Sequence, residues 1–111
     1  MGVGPGAKGL VLSGQVGMEA DGSIPEDAIA QTERALENVF INVEEAGMGK
    51  GNLVKLVFYF VGQHDSGARR ALLQKKLGDH APCMTVLYVA GLATDALKVE
   101  IDAWACHDEG V

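Results

Sequence analysis

The sequence predicts an α+β domain with the order β-α-β-α-β-β, a small mixed sheet with two helices on one face. Three observations predict it. Short aliphatic or β-branched runs recur at residues 9–16, 53–61, 84–92 and 97–107. Two of the stretches between them space their apolar residues at the helical period. A chain of 111 residues with 48% hydrophobic content suits one compact domain that buries a core without disulfide staples.

The first strand is Gly9-Leu10-Val11-Leu12-Ser13-Gly14-Gln15-Val16, and the Ala20-Asp21-Gly22-Ser23 cluster supplies the turn after it. Ser23 followed by Glu26, with Pro25 between them, has the form of a capping box at a helix start. Ile29, Thr32, Leu36, Val39, Phe40 and Val43 then fall on one helical face, and Gly47 reads as the stop. Residues 53–61 offer polar atoms only at Lys55 and Tyr59, which predicts a central strand covered on both sides. A second helix begins at Asp65 or Ser66, turns Leu72, Leu73 and Leu77 inward and closes at Gly78. The last two strands, 84–92 and 97–107, are joined across Ala93-Thr94-Asp95-Ala96. With Val54, Leu56, Val57, Phe58, Phe60, Val86 and Val89 making both sheet faces apolar, the face without helices needs cover, and self-association is the economical way to supply it.

Composition narrows the partners. A net charge of -6 and a pI near 4.9 argue against nucleic acid and anionic membranes, because polyanion binding draws on Lys and Arg displacing counterions. No run of 18 apolar residues exists, and Met1-Gly2-Val3-Gly4-Pro5-Gly6 has neither the basic nor the apolar region of a signal peptide, so the expectation is a soluble cytoplasmic protein. Cys83 and Cys106 are not spaced as C-x-x-C and are expected as free thiols. There is no H-x-x-x-H, Walker or dinucleotide glycine pattern, so no metal or other cofactor is expected.

Three stretches bear on chemistry: Ser13-Gly14-Gln15, the run Pro82-Cys83-Met84-Thr85-Val86-Leu87-Tyr88-Val89-Ala90-Gly91-Leu92, and Leu97-Lys98-Val99-Glu100-Ile101-Asp102-Ala103. Strand alternation puts Lys98, Glu100, Asp102, Trp104 and Cys106 on one face. On residue types alone Glu100 and Asp102 read as the solvated face of an edge strand. Gly14, after a strand, allows a bulge or the close approach of a ligand. Cys83, with His80 three residues before it, is a candidate nucleophile, although free cysteines are more often small hydrophobes and a nucleophile needs a base within reach. Cys106 and His107 point to opposite faces and do not form one metal site.

Together these stretches resemble the RidA family, also called YjgF/YER057c/UK114, over about residues 9–105. The resemblance implies a chorismate-mutase-like α+β fold, homotrimers with active sites in clefts between subunits, and deamination of imines and enamines. It assigns Glu100 to the acid that contacts the catalytic water, and Ser13, Gly14 and the backbone near Val86 to the substrate cleft. The family pattern Pro-x-Arg-[Ser/Thr]-x-Val-x-Val-Ala-x-Leu puts Met84 where a substrate-binding arginine belongs. Methionine cannot copy the paired charged hydrogen bonds of a guanidinium, a loss worth roughly 2–5 kcal/mol, so Met84 and Cys83 soften the site toward uncharged or aromatic substrates. Val3-Gly4-Pro5-Gly6 is similar to the family's Gly-Pro-Tyr segment with Gly6 at the tyrosine, which leaves Tyr88 or Trp104 to supply a ring. Two functions follow: a divergent RidA-like hydrolase acting on an enamine, imine or related C–N bond of a small metabolite, or a non-enzymatic homotrimer binding small ligands or protein partners at the same clefts. The ribonuclease label of some family members fits poorly with a pI of 4.9 and no aromatic and basic strip.

Overall fold

The computed structural model describes residues 7–108, so Val3-Gly4-Pro5-Gly6 lies outside the described residues. The elements are β1 (Ala7–Val16), α1 (Ala28–Glu45), β2 (Leu53–Phe60) entered through a 3-10 turn at Lys50–Asn52, α2 (Ser66–Leu77), β3 (Cys83–Tyr88) and β4 (Val99–Asp108). This is the expected β-α-β-α-β-β order. The sheet runs β1-β4-β2-β3, so β2 separates the last two strands. β2 and β3 are parallel and joined through α2, as a parallel pair requires a crossover; β4 is antiparallel to both β1 and β2.

α1 does not start as the sequence predicts. Ser23 gives both its amide and its hydroxyl to Asp21 Oδ1, at 2.9 and 2.7 Å, and so caps a turn instead of a helix. The N-cap is Asp27, whose carboxylate accepts from Ala30 N–H at 2.9 Å. Gly47 does stop the helix. At φ +79 it donates to Glu44 O at 2.9 Å while Met48 donates to Val43 O at 3.0 Å, the double closure that a left-handed residue after a helix permits. α2 is as expected: Asp65 caps it through Ala68 N–H, Leu72, Leu73 and Leu77 are buried, and Gly78 closes it at φ +61.

Both helices pack on one sheet face, where Leu36, Val39, Phe58, Phe60, Val99 and Ile101 are completely buried. Full burial of side chains of this size contributes roughly 1.5–3 kcal/mol each. Gln31 of α1 is also completely buried. Its Nε2 donates to Pro25 O (2.7 Å) and Ala96 O (2.9 Å), and its Oε1 accepts from Lys98 N–H (2.8 Å), tying the entry to β4 onto the helix.

The second face of β2 is less apolar than its sequence implies. Leu53 pairs with Ala105 and Lys55 with Trp104, so Val54 is an extra residue that resets the alternation. Leu53, Leu56, Phe58 and Phe60 consequently belong to the helix side, leaving Lys55, Val57 and Tyr59 on the uncovered side. Only Val57 there is aliphatic. β3 ends at Tyr88 and β4 begins at Val99, each strand being shorter at the 89–98 connection than its hydrophobic run.

Candidate functional site

The uncovered sheet face gathers Glu100, Asp102 and Trp104 from β4 and Lys55, Val57 and Tyr59 from β2, in direct cross-strand pairs: Tyr59 with Glu100, Val57 with Asp102, Lys55 with Trp104. The Lys55 ammonium stands 5.6 Å from the Trp104 ring centroid. Because β4 lies between β1 and β2, its acidic residues are on an interior strand rather than on a sheet edge.

β1 completes this site with a bulge. Its register to β4 passes from Leu12 opposite Ala103 to Gln15 opposite Ile101, so Ser13 and Gly14 together oppose Asp102. Gly14 sits at φ +68, a left-handed conformation that glycine adopts without a Cβ penalty. Its N–H donates to Asp102 Oδ1 at 3.0 Å, and the open side of its Cα is 3.9 Å from Glu100 Oε1 measured from where a Cβ would stand. Asp102 Oδ2 accepts from the Tyr59 hydroxyl at 2.9 Å. That hydrogen bond, followed by desolvation and the negative charges of Asp102 and Glu100, raises the Tyr59 phenol above its ordinary pKa, because the bond favours the protonated form.

Of the residues that the sequence singles out, Ser13, Gly14 and Glu100 therefore come together. Met84 and Val86 do not join them within one chain. They pair with Leu56 and Phe58 and so lie on the helix side, Val86 packed against the core and Met84 40% exposed at the sheet edge. Cys83 is exposed on the uncovered face opposite Lys55, four residues along β2 from the Tyr59–Glu100 pair, roughly 13 Å away at strand spacing. His80 Nε2 lies 2.7 Å from Leu53 O, where it can only donate, so that nitrogen is not a base for Cys83. Lys98 lines a cavity of about 380 Å³ between the two helix N-termini, beside His64 and Asp27 and apart from Ser13, Gly14 and Glu100.

Tyr88 lies on the helix side against Phe60 and His64, so it offers no ring next to Glu100, and Trp104 shares the Glu100 face but stands two residues beyond Asp102 along β4. Two further candidates emerge from the structure: Tyr59, which the sequence does not single out for chemistry, and Asp102, which it offers only as part of a solvated face. Their signal was faint: Tyr59 shares the parity of Lys55 in an otherwise aliphatic strand, and Asp102 that of Glu100.

The chain is an α+β domain whose uncovered sheet face sets a glycine bulge against an interior-strand glutamate. The chain belongs to the RidA (YjgF/YER057c/UK114) family: the family described as Endoribonuclease L-PSP matches residues 6–107. It is 32% identical over 100 residues to a 2-iminobutanoate/2-iminopropanoate deaminase of Salmonella typhimurium, covering 86% of this chain and 77% of that protein. It is 34% identical over 101 residues to a RutC family protein of Pasteurella multocida, covering 86% and 78%. Among solved structures, the YjgF gene product of E. coli superposes with a TM-score of 0.81 at 30% identity, over 93% of this chain and 83% of that one. E. coli TdcF, determined with bound serine, gives 0.82 at 28% identity over 95% and 84%.

Proposed function

We propose that the protein is a divergent RidA-like hydrolase that deaminates an enamine, imine or related C–N bond of a small metabolite, with Glu100 as the water-orienting acid/base. The observation that supports this most is the placement of the Glu100 carboxylate beside the Gly14 bulge, next to Ser13, in a family whose relatives include proteins named as imine deaminases. In such a site the carboxylate takes a proton from water as its oxygen bonds to the imine carbon. It then returns that proton to nitrogen, giving a carbinolamine; a second transfer through the same carboxylate carries the hydroxyl proton to nitrogen as the C–N bond breaks, and the products are a carbonyl compound and ammonia. Proton and water balance without a cofactor.

The active assembly in this reading is a homotrimer with the cleft between subunits. Met84 and Val86 of β3 project to the helix side of the sheet and Glu100 to its uncovered side, so a cleft that uses all three needs a second copy, and β3, with no strand beyond it among the described residues, is an edge such a copy can approach. The substrate has no arginine to meet it at position 84, which favours an uncharged or aromatic molecule over a short 2-imino acid. With an acidic chain there is no reason to invoke nucleic acid or membrane partners.

The test is turnover of an enamine and imine panel by wild type and Glu100→Gln, with sedimentation equilibrium alongside. Turnover lost by at least a hundredfold in the variant, from a trimer, is the expected result. Turnover that survives the substitution overturns the role of Glu100; absence of turnover across the panel with retained ligand binding leads to the non-enzymatic trimer instead.

A further inference from the structure

Asp102 occupies the place where three elements meet. Its Oδ1 accepts from Gly14 N–H of β1 at 3.0 Å and its Oδ2 accepts from the Tyr59 hydroxyl of β2 at 2.9 Å, while its own backbone is in β4 two residues from Glu100. Both carboxylate oxygens are thus committed, one to each neighbouring strand. Gly14 is held at φ +68 by a side chain where a regular ladder has backbone partners, and Tyr59 is the direct cross-strand partner of Glu100. A carboxylate with two fixed donors is not free to act as a second base, and a phenol that donates to it has its ring pinned against the Glu100 side of the face.

We propose that Asp102 and Tyr59 are positioning residues: Tyr59 orients the Asp102 carboxylate, Asp102 fixes the Gly14 bulge, and the bulge holds the Ser13-Gly14 backbone at its distance from Glu100. The inference rests on the proposed hydrolase reading for its kinetic consequence, and on hydrogen bonding alone for its structural one. Asp102→Leu removes both acceptors at similar size; Asp102→Asn would not, because the amide oxygen can keep the Gly14 N–H while the amide nitrogen donates to the Tyr59 hydroxyl oxygen. Tyr59→Phe keeps the ring and removes one bond.

The experiment measures steady-state kinetics of wild type, Asp102→Leu, Tyr59→Phe and the double variant beside Glu100→Gln, with the ¹⁵N–¹H signal and hydrogen exchange of the Gly14 amide followed in each. Expected are a kcat fall of about tenfold in Asp102→Leu and about threefold in Tyr59→Phe with KM changed less than twofold, and a double variant no slower than Asp102→Leu, as for groups acting in one chain. The Gly14 amide should shift and exchange at least tenfold faster in Asp102→Leu, and less in Tyr59→Phe. A wild-type Gly14 signal and exchange rate in Asp102→Leu overturns the proposal whether or not the protein is an enzyme. Wild-type kcat in Asp102→Leu with an inactive Glu100→Gln overturns it while sparing the hydrolase reading; an active Glu100→Gln defeats that reading and leaves the Gly14 signal to decide this one.

Discussion

Met84 and Glu100 lie on opposite faces of the same four-stranded sheet, Met84 through its pairing with Leu56 and Glu100 through its pairing with Tyr59. The family resemblance assigns both to one substrate cleft, whereas within one chain the sheet itself stands between them. The cover that the sequence calls for on the second face has less to do with apolar area than the run 53–61 implies, since Lys55 and Tyr59 occupy two of its three positions. That face is mixed: the Tyr59–Glu100 pair and Asp102 lie at its centre, with Val11 and Leu87 exposed on the flanking strands.

Two glycines of β1 and its exit should respond differently to alanine. At Gly14 a Cβ would meet only Glu100 Oε1 at 3.9 Å, an ordinary contact, so the penalty is the left-handed backbone, about 1 kcal/mol. At Gly17 the Cβ would stand 2.8 Å from Gln31 Cα and closer still to Gln31 O, so strand and helix must separate, at a cost of about 3 kcal/mol. Urea unfolding should show Gly17→Ala as clearly the less stable of the two, while Gly14→Ala should show the larger loss of turnover.

Gln31→Leu should destabilise the protein by about 3 kcal/mol despite adding apolar volume. The substitution leaves Pro25 O, Ala96 O and Lys98 N–H without their partner in a site closed to water. Chemical denaturation measures this, and a variant as stable as wild type would mean that these backbone groups find other partners. Since Lys98 stands immediately before β4, hydrogen exchange at Val99 and Glu100 should rise with it.

How far the sequence alone reaches depends on how local each signal is. α2 was readable in full because its aspartate cap, its three inward leucines and its closing glycine all fall between Asp65 and Gly78. The start of α1 was not, because Ser23 and Asp27 are both acceptable caps and only the packing of the chain before Ala28 selects Asp27. The face of β2 was misjudged because one inserted residue, Val54, exchanges the parity of everything before it. Glu100, Ser13 and Gly14 were legible through short motifs. Tyr59 and Asp102 were not, since their hydrogen bond joins residues 43 apart and depends on the register of β2 on β4, which no local pattern encodes.

His64 should titrate below the ordinary histidine value. Burial lowers its pKa from 6.5 and the Arg69 guanidinium, with Nη1 2.8 Å from His64 Nε2, lowers it further against an opposing pull from Asp65. As a depressed folded-state pKa requires, the neutral ring's stabilising contribution is complete above pH 6.5 and is lost as pH falls toward the folded-state pKa. Imidazole NMR should place the midpoint below 6.5 and move it upward in Arg69→Ala. Between pH 7 and 5 wild type should lose more stability than His64→Gln, whose amide does not titrate.

The last prediction concerns specificity at Met84. Its side chain is 40% exposed at the edge of β3, so an arginine fits there without entering the core, and Met84→Arg should fold with near wild-type stability. Wild type should turn over 2-iminopropionate and 2-iminobutyrate poorly, because a carboxylate would enter the cleft without a countercharge. Met84→Arg should bind small 2-oxo and 2-imino carboxylates more tightly, by less than the roughly 2–5 kcal/mol of a supported pair, since an introduced guanidinium is not preorganised. Cys83→Arg is the control: it points its charge to the other face, opposite Lys55, and should give no gain. Isothermal titration with pyruvate and 2-oxobutyrate reads the binding difference, and turnover of the matching imines reads its use in catalysis. If wild type already hydrolyses 2-imino acids as fast as an arginine-bearing relative measured beside it, another residue holds the carboxylate. Lys98 would be the first to replace, although in this structure its side chain lines the cavity beside His64, so reaching the substrate would require it to turn toward Glu100.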